Sequence, residues 1–285
     1  MKTRSLLVAL VGVGLIAATI TPPGGTRFLT HSTPPNPQPI RLLARSHLSL
    51  VADLFWIRAI GVTVNLKVPA DGLALVSWCM FVTELDPQFV YPYIFGGLLA
   101  PMSSALGNHN VAEASALLRR GMDNIPGDYR LPLYLSFNQL HLDHDVRGAA
   151  ETLRRGARAP GAPLFMAQLA TRLLAQSDDF DAAKAFAEEL AQGSPDPEVR
   201  AIFEQRRLEI ERDQRLAMLQ RAVDAYKAAR GKTPDTLMQL LLEGFIAELP
   251  HDPFGGDFAL DAQGEVFAPS GARLKAYFQT PKGGP

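Results

Sequence analysis

Three stretches of this chain share one pattern: NVAEASALLRRGMDNIP (residues 110–126), DVRGAAETLRRGARAP (145–160) and DFDAAKAFAEELAQGSP (179–195). The first column of the pattern is spaced by 35 and 34 residues and contains Val111, Val146 and Phe180. The same two intervals separate two more columns, Ala114, Ala149, Ala183 and Leu118, Leu153, Ala187. Within each stretch the small and apolar residues fall on one face of a helix. Their small size lets a neighbouring helix approach closely.

Each stretch follows an apolar segment: YPYIFGGLL (91–99), LPLYLSFNQL (131–140) or APLFMAQLATRLL (162–174). A helix–turn–helix unit of about 34 residues, with alanine in the second helix and proline at its end, resembles the tetratricopeptide repeat. The resemblance covers residues 84–195 and extends to an irregular helix pair from residue 46. It implies a mainly α fold, a solenoid of helical hairpins whose concave surface binds peptides or partner helices. An ordinary alanine-rich bundle is the alternative, but it does not predict columns held at one period.

The N-terminus has the form of a targeting signal. Lys2 and Arg4 precede LLVALVGVGLIAATI, which is apolar from Leu6 to Ile20. No small-x-small cleavage site is evident, so an uncleaved signal-anchor over residues 1–21 is favoured over a removed signal peptide. Positive charge on the short N-terminal side predicts a single-pass inner-membrane protein whose bulk is periplasmic. The proline-dense residues 22–39 predict a linker.

Composition excludes some classes of protein. The formal net charge is −1, so no overall positive field attracts nucleic acid. Cys79 is the only cysteine, and no intramolecular disulfide is possible. It lies in GLALVSWCMFV (72–82), which is too short for a bilayer span and predicts a buried helix. Before it, HLSLVADLFWIRAIGVTVN (47–65) is helical in pattern, with one apolar stripe formed by Leu50, Leu54, Ile57 and Gly61.

Residues 196–285 differ from the repeat domain predicted for residues 40–195. The pattern predicts a long helix from Pro197 to about Arg230, ended by Gly231, and then a short helix ending near Gly244. The stretch RRLEIERDQR (206–215) carries charges of both signs, which is typical of a solvated helical face. The apolar side of the long helix continues through Leu216, Leu219, Val223 and Tyr226.

The sequence LPHDPFGGDFALDAQGEV (249–266) predicts two tight turns around a β-hairpin. The order of long helix, short helix, LP-x-DP-F-G-G and hairpin resembles the globular part of type II secretion pseudopilins over residues 216–267. Because some such proteins bind calcium nearby, Asp252, Asp257 and Asp261 are candidate ligands. Their spacing matches no compact calcium loop, so a structural turn is favoured. Phe254 is then expected to pack on the C-terminal helices, near Leu240 and Leu249.

The stretch HLDHD (141–145) offers His141, Asp143, His144 and Asp145 at metal-like spacing. The repeat places these residues in the turn between paired helices, where polar residues are expected without a metal. A catalytic metal also needs a third ligand and an enclosed cavity. The two glycine pairs, at 96–97 and 255–256, lack the lysine of a phosphate loop. The sequence therefore predicts no catalytic residue, cofactor or metal.

The favoured interpretation is a membrane-tethered, tetratricopeptide-like scaffold that binds other envelope proteins or peptides on its concave surface. The order of ADLFWIRA, LDP-x-F-x-YPYIFGG, GAP and LP-x-DPFGG is also similar to tetratricopeptide-repeat proteins of bacterial envelopes. Two alternatives remain. One hypothesis, motivated by the C-terminal pattern, is an assembly subunit of a secretion or pilus-like system. The other, motivated by HLDHD, is a metal-dependent envelope hydrolase.

Overall fold

A computed structural model describes residues 33–63, 66–102, 109–269 and 271. The protein is mainly helical, as predicted, with a two-stranded sheet near its C-terminus. It divides into two compact units, residues 1–163 and residues 164–285. The division lies inside the predicted repeat segment, and the predicted domain boundary at 195/196 stays a prediction.

The described part of the first unit contains seven α-helices. They are α1 (Pro37–Ala44), α2 (Leu48–Thr63), α3 (Pro69–Leu85), α4 (Val90–Leu99), α5 (Val111–Asn124), α6 (Arg130–His141) and α7 (Val146–Gly156). Short 3-10 turns cover Arg45–His47 and Ala100–Met102. From α2 onward each helix packs against the next, and α4 also contacts α6. The core of this unit lies mainly between α2, α3, α4, α5 and α6.

The second unit contains α8 (Leu164–Gln176), α9 (Phe180–Gly193), α10 (Pro197–Arg230) and α11 (Leu237–Leu242). Two short strands follow, β1 (Ala259–Leu260) and β2 (Val266–Phe267). The strands are antiparallel, with Ala259 opposite Phe267 and Leu260 opposite Val266. Helix α9 packs against both α8 and α10, and α10 contacts α11 and β2.

Two of the three repeat columns lie on buried helix faces. Ala114 of α5, Ala149 of α7 and Ala183 of α9 are fully buried, and the next column is equally buried at Leu118, Leu153 and Ala187. All six residues have no accessible surface, which confirms that these two columns face the protein interior. The alanines leave little room between the helices, because a helix interface closes up where its side chains are small.

Two glycines of YPYIFGGLL allow α4 to approach its neighbours. A Cβ on Gly96 would lie 2.6 Å from Leu117 Cδ2 and 3.0 Å from Cys79 Sγ. A Cβ on Gly97 would lie 2.5 Å from Leu118 Cγ. All three distances are shorter than van der Waals contact, so only glycine permits this packing. The pair therefore has a packing role.

Helix α3 is the buried helix predicted from residues 72–82. It begins at Pro69, which is tolerated in a first turn, and ends at Leu85 before Asp86 and Pro87. Cys79 is fully buried, and burial raises the pKa of its thiol far above the usual range. A thiol of this kind stays protonated at neutral pH and is a poor nucleophile.

The apolar stripe of α2 is largely on the exposed side of that helix. Leu50 and Ile57 are 57% and 67% exposed. The opposite side is buried instead, through Val51, Ala52, Phe55, Ala59 and Val62. Phe55 determines this choice, because its ring packs against both Trp78 and Phe81 of α3. Both sides of α2 are apolar, so periodicity alone does not decide which one faces the core.

The predicted long helix, its end and the hairpin are confirmed. Helix α10 begins at Pro197, with the Asp196 side chain capping the amide of Glu198, and Gly231 ends it with a φ of 71°. Leu216, Leu219, Val223 and Tyr226 form one apolar cluster with Leu240, Phe258 and Val266. The hairpin therefore covers the C-terminal half of α10.

The prediction that residues 206–215 form a solvated face is wrong. Ile210 and Arg212 are buried, and the other eight residues of this stretch are half-buried. Ion pairs along the helix accommodate the charges; Glu211 accepts from Arg207 and from Arg215, and Arg206 lies 3.5 Å from Glu209. Burial also lowers the pKa of Arg206. Mixed charges at helical spacing can pair on a covered face, which the charge pattern alone does not reveal.

The predicted signal-anchor, residues 1–21, and most of the linker lie outside the described residues. Helix α1 begins at Pro37, three residues before the predicted start of the repeat domain at Ile40. Within the described ranges, no helix combines the length and the apolar character that crossing a bilayer requires.

Candidate binding surface

The first helices of two consecutive pairs, α4 and α6, expose aromatic side chains. Tyr91 of α4 is 58% exposed and Phe137 of α6 is 40% exposed. Phe137 shares one face of α6 with Arg130, Tyr134 and His141, because these residues are separated by four, three and four positions. We name the set Tyr91, Arg130, Tyr134, Phe137 and His141 the aromatic face.

Contacts between side chains order the aromatic face. The Arg130 guanidinium carbon lies 5.7 Å from the centroid of the Tyr91 ring, within the range of a cation–π contact that joins α6 to α4. At the other end of α6, the rings of Phe137 and His141 lie 4.4 Å apart. Tyr134, between them, is half-buried and packs against the core of the first unit.

Asp128 fixes the guanidinium of Arg130. Arg130 Nε donates to Asp128 Oδ1 at 2.9 Å and Nη2 donates to Oδ2 at 2.5 Å, which makes a two-point pair. The Arg130 backbone amide also donates to Asp128 Oδ1 at 2.9 Å. These hydrogen bonds lower the pKa of Asp128 and raise the pKa of Arg130. Both groups are therefore charged at neutral pH, and the guanidinium is held in one orientation beside Tyr91.

A buried hydrogen bond supports the aromatic face from behind. Asn138, next to Phe137, is almost fully buried, and its Nδ2 donates to the Gly97 carbonyl oxygen at 2.9 Å. This bond ties α6 to α4 on the core side. A buried amide that bonds a backbone carbonyl fixes the separation and rotation of two helices. The exposed aromatic side chains therefore stand on a rigid base, as a binding surface requires.

The HLDHD stretch forms a helix end, a turn and a helix start. His141 is the last residue of α6, and His144 has a left-handed backbone with a φ of 56°. Asp145 caps α7, since its Oδ1 accepts from the Gly148 amide at 2.8 Å. Throughout the described residues, no three His, Cys, Asp or Glu side chains are grouped so as to hold a metal ion. His141 instead contributes its ring to the aromatic face.

The three candidate aspartates of the C-terminal module each have local hydrogen bonds. Asp252 Oδ1 accepts from the Phe254 amide at 2.9 Å, and Asp261 Oδ1 accepts from the amides of Gln263 and Glu265 at 2.9 and 2.8 Å. Asp257 Oδ1 lies 2.8 Å from His251 Nδ1. Gly255 N donates to the Asp252 carbonyl at 2.9 Å, as the predicted turn requires. The Asp252 and Asp261 carboxylates hold turns together.

Phe254 lies against α10, one of the C-terminal helices, as predicted, but it is outside the apolar cluster of Leu240 and Leu249. Phe254 is 41% exposed, and the Arg212 guanidinium carbon lies 4.9 Å from its ring centroid. Phe258 occupies the apolar cluster that contains Leu240. The turn at Asp252 directs Phe254 toward α10, where its ring makes a cation–π contact with the buried Arg212. The sequence pattern does not predict this contact, because charges of both signs over residues 206–215 are typical of a solvated helical face.

Sequence patterns alone did not identify the aromatic face. Tyr91 and Phe137 lie in segments interpreted as first helices of the repeats, where apolar residues are expected in the core. A usable signal was the spacing from Arg130 through Tyr134 and Phe137 to His141, which puts a charged residue and three rings on one side of α6. No family model, no curated protein and no solved structure matches this chain.

Proposed function

We propose that this chain is a membrane-tethered helical-repeat scaffold that binds other proteins of the bacterial envelope through the aromatic face. The observation that carries the proposal is the exposure of Tyr91 and Phe137 on the first helices of two successive pairs, beside an arginine fixed by Asp128. Tyrosine and arginine are enriched among the residues that contribute most binding energy at protein interfaces, and phenylalanine is enriched in the composition of those interfaces.

The helix pairs and the buried columns support a tetratricopeptide-like arrangement. In such an arrangement the first helices of the pairs line the concave side, and α4 and α6 are the first helices of two successive pairs. The partner is a protein segment with apolar side chains that pack on Tyr91 and Phe137. The proposal assigns no catalytic step, cofactor or metal to the chain.

The N-terminal pattern supports the tether. Lys2 and Arg4 before an apolar segment orient such a segment with its N-terminus in the cytoplasm, which makes the repeats periplasmic. A reporter enzyme that is active only outside the cytoplasm, fused after Pro285, tests this topology. We expect activity, and activity of a cytoplasm-specific reporter at the same site contradicts the topology.

Co-purification tests the binding surface. The full chain with Tyr91→Ala and Phe137→Ala should lose envelope proteins that co-purify with the parent, while its circular dichroism spectrum stays unchanged because both side chains are exposed. The matched control is Met238→Ala with Leu242→Ala, since these side chains are 48% and 78% exposed in the second unit. Retention of all partners by the Tyr91/Phe137 variant contradicts the proposal.

A second candidate function is an assembly subunit of a secretion or pilus-like system. The order of α10, α11, the DPFGG turn and the hairpin supports it, since this order resembles the pseudopilin globular module. In that case Phe254 is the exposed aromatic residue nearest the turn. Loss of partners in Phe254→Ala, together with their retention in the Tyr91/Phe137 variant, favours this second function.

A further inference from the structure

The first helix among the described residues, α1, exposes leucines between basic residues. Leu42 and Leu43 of α1 are 64% and 67% exposed, and Leu50 at the start of α2 is 57% exposed. Arg41, Arg45 and His47 are exposed among them. We name this set, Arg41, Leu42, Leu43, Arg45, His47 and Leu50, the basic leucine segment.

The basic leucine segment belongs to a folded part of the protein. Pro37 opens α1, and the Asn36 side chain caps it by accepting from the Gln38 amide at 2.9 Å. Ile40, Ala44 and Leu48 pack against the core of the first unit. These contacts use one side of α1 and leave Leu42 and Leu43 outside the core. An exposed pair of leucines beside arginines is the composition of a helix that lies in a membrane interface.

Charge along the chain is strongly asymmetric around this segment. Residues 21–52, which follow the proposed tether, contain three arginines and no Lys, Asp or Glu, and Asp53 is the first acidic residue of the chain. Among the described residues, no ion pair is recorded for Arg41 or Arg45. Their charges are therefore available to an anionic surface, and clusters of basic residues next to a membrane segment attract anionic lipids.

We propose that the basic leucine segment docks on an anionic phospholipid bilayer, with Leu42 and Leu43 in the interface and the arginines among the headgroups. The inference rests on the proposed membrane tether, because only about twenty residues separate Ile20 from Arg41. A connection of that length keeps α1 close to the bilayer, so weak docking is sufficient. Exposed Asp53 bounds the docking surface on α2, because a carboxylate is repelled by anionic headgroups.

Lipid-dependent quenching of a fluorophore tests the docking in the full chain. Ser46 is exposed, whereas Cys79 is buried, so Ser46→Cys supplies the reactive thiol for the fluorophore. Ala225 of α10 is also exposed, and a separate variant with Ala225→Cys is the matched control. Both labelled chains are reconstituted into liposomes that carry a headgroup-level spin-label quencher, with zwitterionic lipid alone or with added phosphatidylglycerol.

We expect the label at residue 46 to be quenched in the anionic liposomes and the label at residue 225 to stay unquenched. Each of Arg41→Gln and Arg45→Gln should lower the ratio of docked to undocked chain about fivefold, from ~1 kcal/mol per basic residue near the surface. Leu42→Ser with Leu43→Ser should also reduce quenching. Equal quenching at residues 46 and 225 in every lipid mixture overturns the proposal.

Two further readouts separate the docking from the tether and from self-association. If alkaline carbonate extracts the chain from the liposomes but quenching at residue 46 still depends on anionic lipid, the docking is supported and the tether fails. If the chain resists extraction but residue 46 is unquenched, the docking fails and the tether stands. Crosslinks between two chains at residue 46, in equal yield with and without anionic lipid, assign the surface to a second copy and overturn the proposal.

Discussion

Leu118 of α5 occupies the space that a side chain on Gly97 of α4 would need, because a Cβ on Gly97 would lie 2.5 Å from Leu118 Cγ. Leu118 belongs to a repeat column, and Gly97 belongs to the apolar segment that precedes the column. The contact therefore joins the two halves of one predicted repeat unit. The same glycine accepts the buried hydrogen bond from Asn138, so Gly97 connects α4 to both α5 and α6.

Gly97→Ala should destabilise the protein by about 1–3 kcal/mol, because the added methyl group overpacks a closed interface. Denaturant unfolding followed by circular dichroism measures the change. Gly193→Ala is the matched control, since Gly193 also lies in a helix and a Cβ there would meet no atom within 4 Å. The control should keep or raise stability. If the Gly97 variant and the parent have equal free energies of unfolding, the packing described for α4 is contradicted.

Asp128 should contribute stability that depends on pH. Its pKa is lowered in the folded state, chiefly by the hydrogen bonds from the Arg130 side chain. A carboxyl group with a lowered folded pKa stabilises the protein above its unfolded pKa of about 3.9, and the contribution is lost as pH falls through the folded pKa. Asp128→Asn should therefore be less stable than the parent at pH 7, and the difference should shrink below about pH 4. A difference that grows on acidification contradicts this assignment.

The sequence predicted the helical class, the buried columns, the long helix and the C-terminal hairpin, because each depends on local rules. Period, turn residues and caps act within a few positions, as at Pro197, Gly231 and Asp252. Which side of α2 is exposed, and whether Arg212 is buried, depend on which helix face packs against another helix or strand. Neither is encoded in local periodicity. The aromatic face was missed for the same reason, since exposure of Tyr91 and Phe137 is a tertiary property.

The DPFGG turn should respond to backbone strain and not to calcium. Gly255 and Gly256 have φ values of 96° and 90°, which a β-branched residue adopts only with strain. Gly256→Val should therefore cost about 1–3 kcal/mol. Asp252→Asn should cost less, because asparagine keeps the oxygen that accepts from the Phe254 amide. Thermal melts of the parent with calcium and with chelator should coincide. A melting temperature that chelator lowers in the parent, but not in Asp252→Asn, indicates a calcium site.

The HLDHD turn should tolerate loss of its histidines. His141→Ala with His144→Ala should change the free energy of unfolding by less than about 1 kcal/mol, since His144 is exposed in the turn and His141 is half-buried at the end of α6. Elemental analysis of the purified full chain should give the same metal content for parent and variant. Stoichiometric zinc in the parent that the variant lacks would restore the hydrolase hypothesis.

Site-specific photocrosslinking in cells tests the central proposal most directly. A photoreactive residue replaces Phe137 in the full chain. In a separate variant it replaces Leu242, which is 78% exposed in the second unit. The proposal predicts a discrete adduct with an envelope protein at residue 137, none at residue 242, and an adduct yield at least several-fold lower when Tyr91→Ala is added. Absence of an adduct at residue 137, or the same adducts at both positions and with Tyr91→Ala, would contradict the assignment of the aromatic face as the binding surface.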